Sequence, residues 1–140
     1  MNPLPQPTRG LILRRDHVAH MRAHVAADAP LEACGLVAVY QGVSQRVYSI
    51  PNAAASPVRY RLEPHAYLRA LHDIEAHGWS LGLIYHSHPR GAPVPSAIDL
   101  AEASYPDAVY YIWAPVGSVW VARGYYLTPQ AARPVPVRWE

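Results

Sequence analysis

His86-Ser87-His88-Pro89, followed by Pro95-Ser96-Ala97-Ile98-Asp99, places two imidazoles, a hydroxyl and a carboxylate at spacings that suit one catalytic metal. Two neutral nitrogens and one carboxylate oxygen are ligands suited to zinc, and three protein ligands leave a fourth tetrahedral position open. A metal held this way lowers the pKa of a water molecule from about 15.7 to about 7, so hydroxide becomes available at neutral pH. A base must then manage the proton. Glu32, in Ala29-Pro30-Leu31-Glu32-Ala33-Cys34-Gly35-Leu36, is the candidate, because an acidic residue at the margin of an apolar segment needs a partner.

The elements that must position these groups can be read from pattern. Leu81-Gly82-Leu83-Ile84-Tyr85 is a short apolar run rich in strand formers. If the strand continues through His88, the two-residue period sends His86 and His88 to one face and Ser87 to the other. Pro89-Arg90-Gly91-Ala92-Pro93-Val94-Pro95 cannot form a helix or a central strand, so the chain turns there. Ser96 to Ala103 has helical composition, and Ser96 and Asp99 point the same way from its first turn. Simpler readings stand beside the chemical one. A His-x-His pair can be a polar strand face, Ser-x-x-Asp is a common capping arrangement, and spacing alone makes Glu32 a surface loop residue.

Together these residues resemble a known family. Glu32 before an Ala-Cys-Gly-Leu strand, then His86-x-His88-Pro89, a Pro-rich spacer, Ser96 and Asp99, is similar to the JAMM motif of MPN-domain metalloproteases, the Mov34/PAD1 superfamily, in its stand-alone prokaryotic form. The resemblance implies that His86, His88 and Asp99 ligate zinc, that Glu32 is general base and later proton donor, and that Ser96 stabilises the oxyanion. It also implies an α/β, deaminase-like fold, a curved mixed sheet flanked by helices. Nucleobase deaminases themselves carry a Pro-Cys-x-x-Cys signature, which a chain with one cysteine cannot supply.

Composition fits an intracellular, cytoplasmic domain. At 140 residues the chain is long enough for one core, expected over residues 9–140 behind a Pro-rich lead at 1–8 that lacks the basic start and apolar run of a signal peptide. Cys34 cannot form an internal disulfide and reads as a buried structural thiol. A formal charge of +2, spread rather than clustered, does not favour nucleic acid, and no segment approaches transmembrane length.

The remaining pattern predicts a strand at Leu11 to Leu13 and a helix from Asp16 to Ala27 capped by Asp16. Strands at Leu36 to Tyr40 and Gln45 to Ile50 flank a Gln41-Gly42 hairpin turn. An extended piece from Arg59 to Leu62 leads to a helix from Pro64 to His77 closed by Gly78. Ala108 to Trp113 and Ser118 to Arg123 read as two last strands before a short tail. His17, His20 and His24 share one helix face and read as an exposed polar stripe; His65, His72 and His77 receive no catalytic role.

Related enzymes cut after the Gly-Gly tail of ubiquitin-like proteins, and stand-alone bacterial members resemble hydrolases that trim sulfur carriers or release cysteine from a carrier. The resemblance therefore implies a peptidase or isopeptidase acting on a Gly-Gly-tailed ubiquitin-like or sulfur-carrier protein. The tail would lie along a strand edge, with Tyr85, Trp113 and Val94 as groove-lining candidates that equally suit core or loop packing. Two rival readings are a non-enzymatic MPN scaffold, which would hold no metal, and a RadC-like DNA-repair protein. The RadC branch ordinarily has Asn between the histidines and lacks the Glu-x-Cys-Gly strand.

Overall fold

The computed structural model describes residues 10–140; the lead expected at 1–8 lies outside the described residues. Eight strands and three helices follow in the order β1 (Leu11–Leu13), α1 (Arg15–Asp28), β2 (Cys34–Tyr40), β3 (Val43–Ile50), α2 (Pro64–Ala76), β4 (Ser80–Ser87), α3 (Ala97–Glu102), β5 (Val109–Val116), β6 (Val119–Thr128), β7 (Ala131–Val135) and β8 (Val137–Trp139). They form one mixed sheet in the order β7-β6-β5-β4-β2-β3-β1-β8. Its two outermost strands are consecutive in the chain, hinged at Pro136, so the sheet curls almost closed. Among the described residues no helix is long and apolar enough to cross a membrane.

The centre of the sheet is set by β2, β4 and β5. β2 runs antiparallel to β4, with Cys34 opposite His86, and β4 runs parallel to β5, with His86 opposite Ile112. Parallel neighbours require a crossover, and here it is the Pro-rich loop and α3. The topology thus carries Asp99 over the carboxyl end of β4, where parallel strands commonly build their sites.

Alternation divides the core into two layers. Leu83 and Tyr85 join Val37, Tyr111 and Trp113 under α1, which contributes Val18, Met21 and Val25. Ile84 joins Cys34, Leu36, Ile50, Tyr110 and Ile112 on the other face, under Ala70 of α2. Each fully buried aliphatic side chain of this kind contributes about 1.5–3 kcal/mol. Gly35 is required by close approach: a Cβ there would collide with the Tyr85 ring and the Tyr48 carbonyl. Gln41 (φ 50°) and Gly42 (φ 81°) make the expected hairpin turn between β2 and β3.

Several sequence expectations need correction. Asp16 lies inside the first turn of α1, and Arg14 at the N-cap makes no side-chain capping bond. The extended piece before α2 is reduced to one isolated bridge between Asn52 and Leu62. Four strands follow Asp99 rather than two, because β7 and β8 replace the short tail.

Of the α1 histidines expected as an exposed polar stripe, His20 is exposed as expected, whereas His17 and His24 are partly buried. Each stands one residue before a buried apolar residue, which turns it towards the sheet margin. There His17 Nδ1 meets Ser44 Oγ at 2.7 Å, His20 Nε2 meets Ser49 Oγ at 2.9 Å and His24 Nδ1 meets the Tyr85 hydroxyl at 2.6 Å. Tyr85 and Trp113 are wholly buried under α1 and line no groove, whereas Val94 is 50% exposed.

Candidate metal centre

β4 ends at Ser87, and His88 extends its line by donating its N–H to the Trp113 carbonyl at 2.7 Å. The expected alternation therefore holds: His86 and His88 approach each other, their Nε2 atoms 3.1 Å apart, while Ser87 points away. His88 Nδ1 donates to the Ala92 carbonyl at 3.0 Å, which fixes a proton on Nδ1 and turns Nε2 into the site. His86 is fully buried and its Nδ1 has no partner. Its ring is held instead by stacking on Tyr60, with centroids 4.4 Å apart and planes at 22°.

Asp99 completes the group. Its Oδ1 is 3.1 Å from His86 Nε2 and its Oδ2 is 3.0 Å from His88 Nε2. The capping arrangement is present as well: the Ser96 N–H donates to Asp99 Oδ2 at 2.9 Å, and Ser96 Oγ accepts the Asp99 N–H at 3.1 Å. The two readings of Ser-x-x-Asp are compatible, because the cap fixes the carboxylate that faces the imidazoles. Ser96 Oγ acts in the cap as an acceptor, which leaves its own proton free to be donated elsewhere.

Glu32 is 3% exposed, not a surface residue. Its Oε1 is buried without a partner, and it offers an oxygen that lies, with His86 and His88 nitrogens, within a 4.8 Å group. Both its backbone groups are tied down: its N–H donates to the Ser56 carbonyl at 2.9 Å and its carbonyl accepts from Asn52 Nδ2 at 2.9 Å. The adjacent Ala33 N–H donates to Ser87 Oγ at 2.8 Å, and the Ser87 N–H returns a bond to the Ala33 carbonyl at 3.1 Å. Glu32, His88 and Ser96 then line one cleft of about 240 Å³ with Pro57, Val58, Arg90 and Gly91.

Electrostatics follow from this crowding. Burial pushes the Glu32 carboxyl up to about 7, against the pull of His88 and with the help of Asp99. Burial opposes ionisation of Asp99 too, but the hydrogen bonds with His86 and His88 overcome it and hold that carboxyl well below the usual range. Burial lowers His86; at His88 burial acts the same way but is outweighed by the bonds to Asp99 and Ala92, which raise it. Burial pushes the Cys34 thiol up to about 12, in keeping with a structural thiol.

The donor set fits a metal. Ligands about 2.0–2.1 Å from a tetrahedral ion stand about 3.3 Å from one another. The separations of 3.0–3.1 Å among His86, His88 and Asp99 are close to that figure. Two imidazole nitrogens brought this near to each other need a shared cation or a proton between them. Glu32 offers a carboxylate oxygen to the same group.

Residues 14–123 match the family described as prokaryotic homologs of the JAB domain. The chain belongs to that family. The expected kinship with the JAMM/MPN group is thus borne out at the level of the whole JAB domain. The chain is 39% identical over 107 residues to a desampylase from Haloferax volcanii, covering 74% of this chain and 77% of the relative. It is 38% identical over 104 residues to a CysO-cysteine peptidase from Mycobacterium tuberculosis, covering 73% and 71%. A solution structure from Desulfitobacterium hafniense superposes with a TM-score of 0.83 at 26% identity, covering 93% of this chain and 92% of the other. A JAB1/MPN domain protein from Archaeoglobus fulgidus, at 14% identity and a TM-score of 0.60 over 94% and 98%, shares the fold. The expected MPN-type architecture, a curved mixed sheet flanked by helices, is therefore the one this JAB domain has.

Three residues with a part in the site escape a sequence reading. Ser87 could have been found by asking what its opposite-facing hydroxyl satisfies. Asn52 and Tyr60 carry no local signal, since they lie in an irregular loop and their partners are distant: Glu32 is 20 residues from Asn52.

Proposed function

We propose that this chain is a zinc-dependent peptidase or isopeptidase that hydrolyses the amide bond after the Gly-Gly tail of a ubiquitin-like or sulfur-carrier protein, with residues 9–140 as one catalytic domain. The observation that carries the reading is the convergence of His86, His88 and Asp99 at 3.0–3.1 Å beside a buried, partnerless Glu32 oxygen. The names of the relatives support the substrate class, since one is a desampylase and another a CysO-cysteine peptidase.

His86, His88 and Asp99 would hold the zinc. When bound, it would polarise the scissile carbonyl and make hydroxide available at neutral pH. Two carboxylates face the imidazoles, and their surroundings assign them different roles. Asp99 is in direct contact with both nitrogens and strongly favours its charged form, which suits a ligand. Glu32 has an unused oxygen and a carboxyl poised near 7, which suits a group that takes up a proton and delivers it to the leaving amine. The Ser96 hydroxyl, free to donate, faces the same cleft and is placed to stabilise the developing oxyanion, a contribution of about 10²–10³ in rate.

Metal content of purified wild type, Glu32→Gln and Asp99→Ala tests the division of roles. About one zinc per chain is expected in the first two and little in the third. Loss of zinc from Glu32→Gln with retention in Asp99→Ala would exchange the two assignments, and no metal in wild type would favour a non-enzymatic scaffold.

A further inference from the structure

Asn52 uses all of its side-chain hydrogen-bonding groups on backbone of the loop around the site. Its Nδ2 donates to the Glu32 carbonyl at 2.9 Å and to the Arg59 carbonyl at 3.0 Å. Its Oδ1 accepts the Ala54 N–H at 2.9 Å and the Arg61 N–H at 3.0 Å. Arg59 and Arg61 flank Tyr60, the residue whose ring backs His86. One amide therefore grips the peptide on both sides of Tyr60 and, with the same nitrogen, the carbonyl of Glu32. The Glu32 N–H is held by Ser56 in the same loop. The far side of the loop is anchored by the ion pair of Arg59 with Glu102, on the helix that carries Asp99.

We infer that Asn52 is the positioning residue that sets Glu32 and His86 in mutual register, acting on the reaction through the backbone of Glu32. The inference rests on Glu32 being the base. Among the described residues Glu32 Oε1 has no hydrogen-bond partner to steer it, so the placement of the carboxylate leans on its backbone and on packing. His86 likewise has no partner on Nδ1 and depends on the placement of Tyr60. The loop that Asn52 closes thus bears on both the Glu32 backbone and, through Tyr60, the ring of His86. A displacement of about 1 Å in such a group can cost about 10² in rate.

The test compares Asn52→Ala and Asn52→Asp with wild type, each zinc-loaded, in wild-type and Glu32→Gln backgrounds. Asn52→Asp keeps the acceptors for Ala54 and Arg61 but loses the donor to Glu32 and Arg59, so it isolates the tether if the alanine variant folds poorly. Steady-state cleavage of a carrier extended beyond its Gly-Gly end should show kcat lowered about 10- to 100-fold with KM within about twofold. Hydrogen exchange of the Glu32 amide should accelerate at least about tenfold, while the β2 and β4 amides keep their protection. In the Glu32→Gln background Asn52→Ala should cost much less than in wild type, since residues acting through one group are not additive. A kcat within about twofold of wild type in both variants, or an equal loss in the two backgrounds, would overturn the inference. Wild-type activity in Glu32→Gln alone would instead remove the base on which it rests.

Discussion

The Oγ of Ser87 accepts the Ala33 N–H at 2.8 Å, so the residue between the two histidines holds the peptide next to Glu32. The pair is closed by the Ser87 N–H bond to the Ala33 carbonyl, and both residues are wholly buried. Strand alternation points this hydroxyl at the residue that leads into β2 while both imidazoles turn to Asp99 on the other face.

Ser87→Ala should therefore strand a buried N–H, at a cost of about 1–3 kcal/mol in urea unfolding. Turnover should fall while zinc content is kept, because the change loosens Glu32 and not the ligands. Unchanged stability would mean that the Ala33 N–H finds another partner.

The Glu32 carboxyl makes the metal-free protein sensitive to pH. Its folded pKa of about 7 lies above the ordinary value of 4.5, so the folded state holds the proton more tightly than the unfolded chain. Ionising it opposes folding, and the cost grows as pH rises from about 4.5 to about 7, then stays in full. Glu32→Gln removes that cost. The stability of the variant relative to wild type, both metal-free, should rise by on the order of 2 kcal/mol between about pH 5 and pH 8. A difference that stays constant over this range would show that the carboxyl is not raised.

Tyr60→Leu should weaken zinc binding about tenfold in a chelator competition, since His86 has no hydrogen bond on Nδ1 to orient it and relies on the stacked ring. Equal affinity in variant and wild type would assign the orientation of His86 to strand packing alone.

Zinc removal should lower the melting temperature, because an ion that binds only the folded chain stabilises it by about 4 kcal/mol at a free concentration about 1,000 times its Kd. The shift should vanish in Asp99→Ala. A chelator without effect on wild type would argue against a bound metal.

The candidate site was legible where chemistry and local period coincide. His86 and His88 follow from alternation on an apolar strand, and Ser96 with Asp99 from the first turn of a helix after a Pro-rich spacer. Glu32 needed the family pattern, because its burial is created by the loop at 51–62 and not by its neighbours in sequence. The sheet centre was readable for the same reason as the histidines: β2, β4 and β5 are apolar runs. β7 and β8 were not readable. Ala131–Val135 contains Pro134 and is largely exposed, and Val137–Trp139 is a strand only because Leu11 to Leu13 pairs with it in parallel from the other end of the chain. His17 and His24 misled because polar side chains that meet hydroxyls on a sheet look, in sequence, like side chains that meet water. Asn52 gave no warning, since one amide among prolines and alanines reads as turn chemistry.

The central claim is that Glu32 moves the proton in a zinc-dependent cleavage after Gly-Gly. Intact-mass spectrometry of a sulfur-carrier protein extended beyond its Gly-Gly end, incubated with zinc-loaded wild type or zinc-loaded Glu32→Gln, tests it most directly. The account predicts a product ending at Gly-Gly with wild type and almost none with the variant. Equal product from both, or cleavage at another bond, would contradict it.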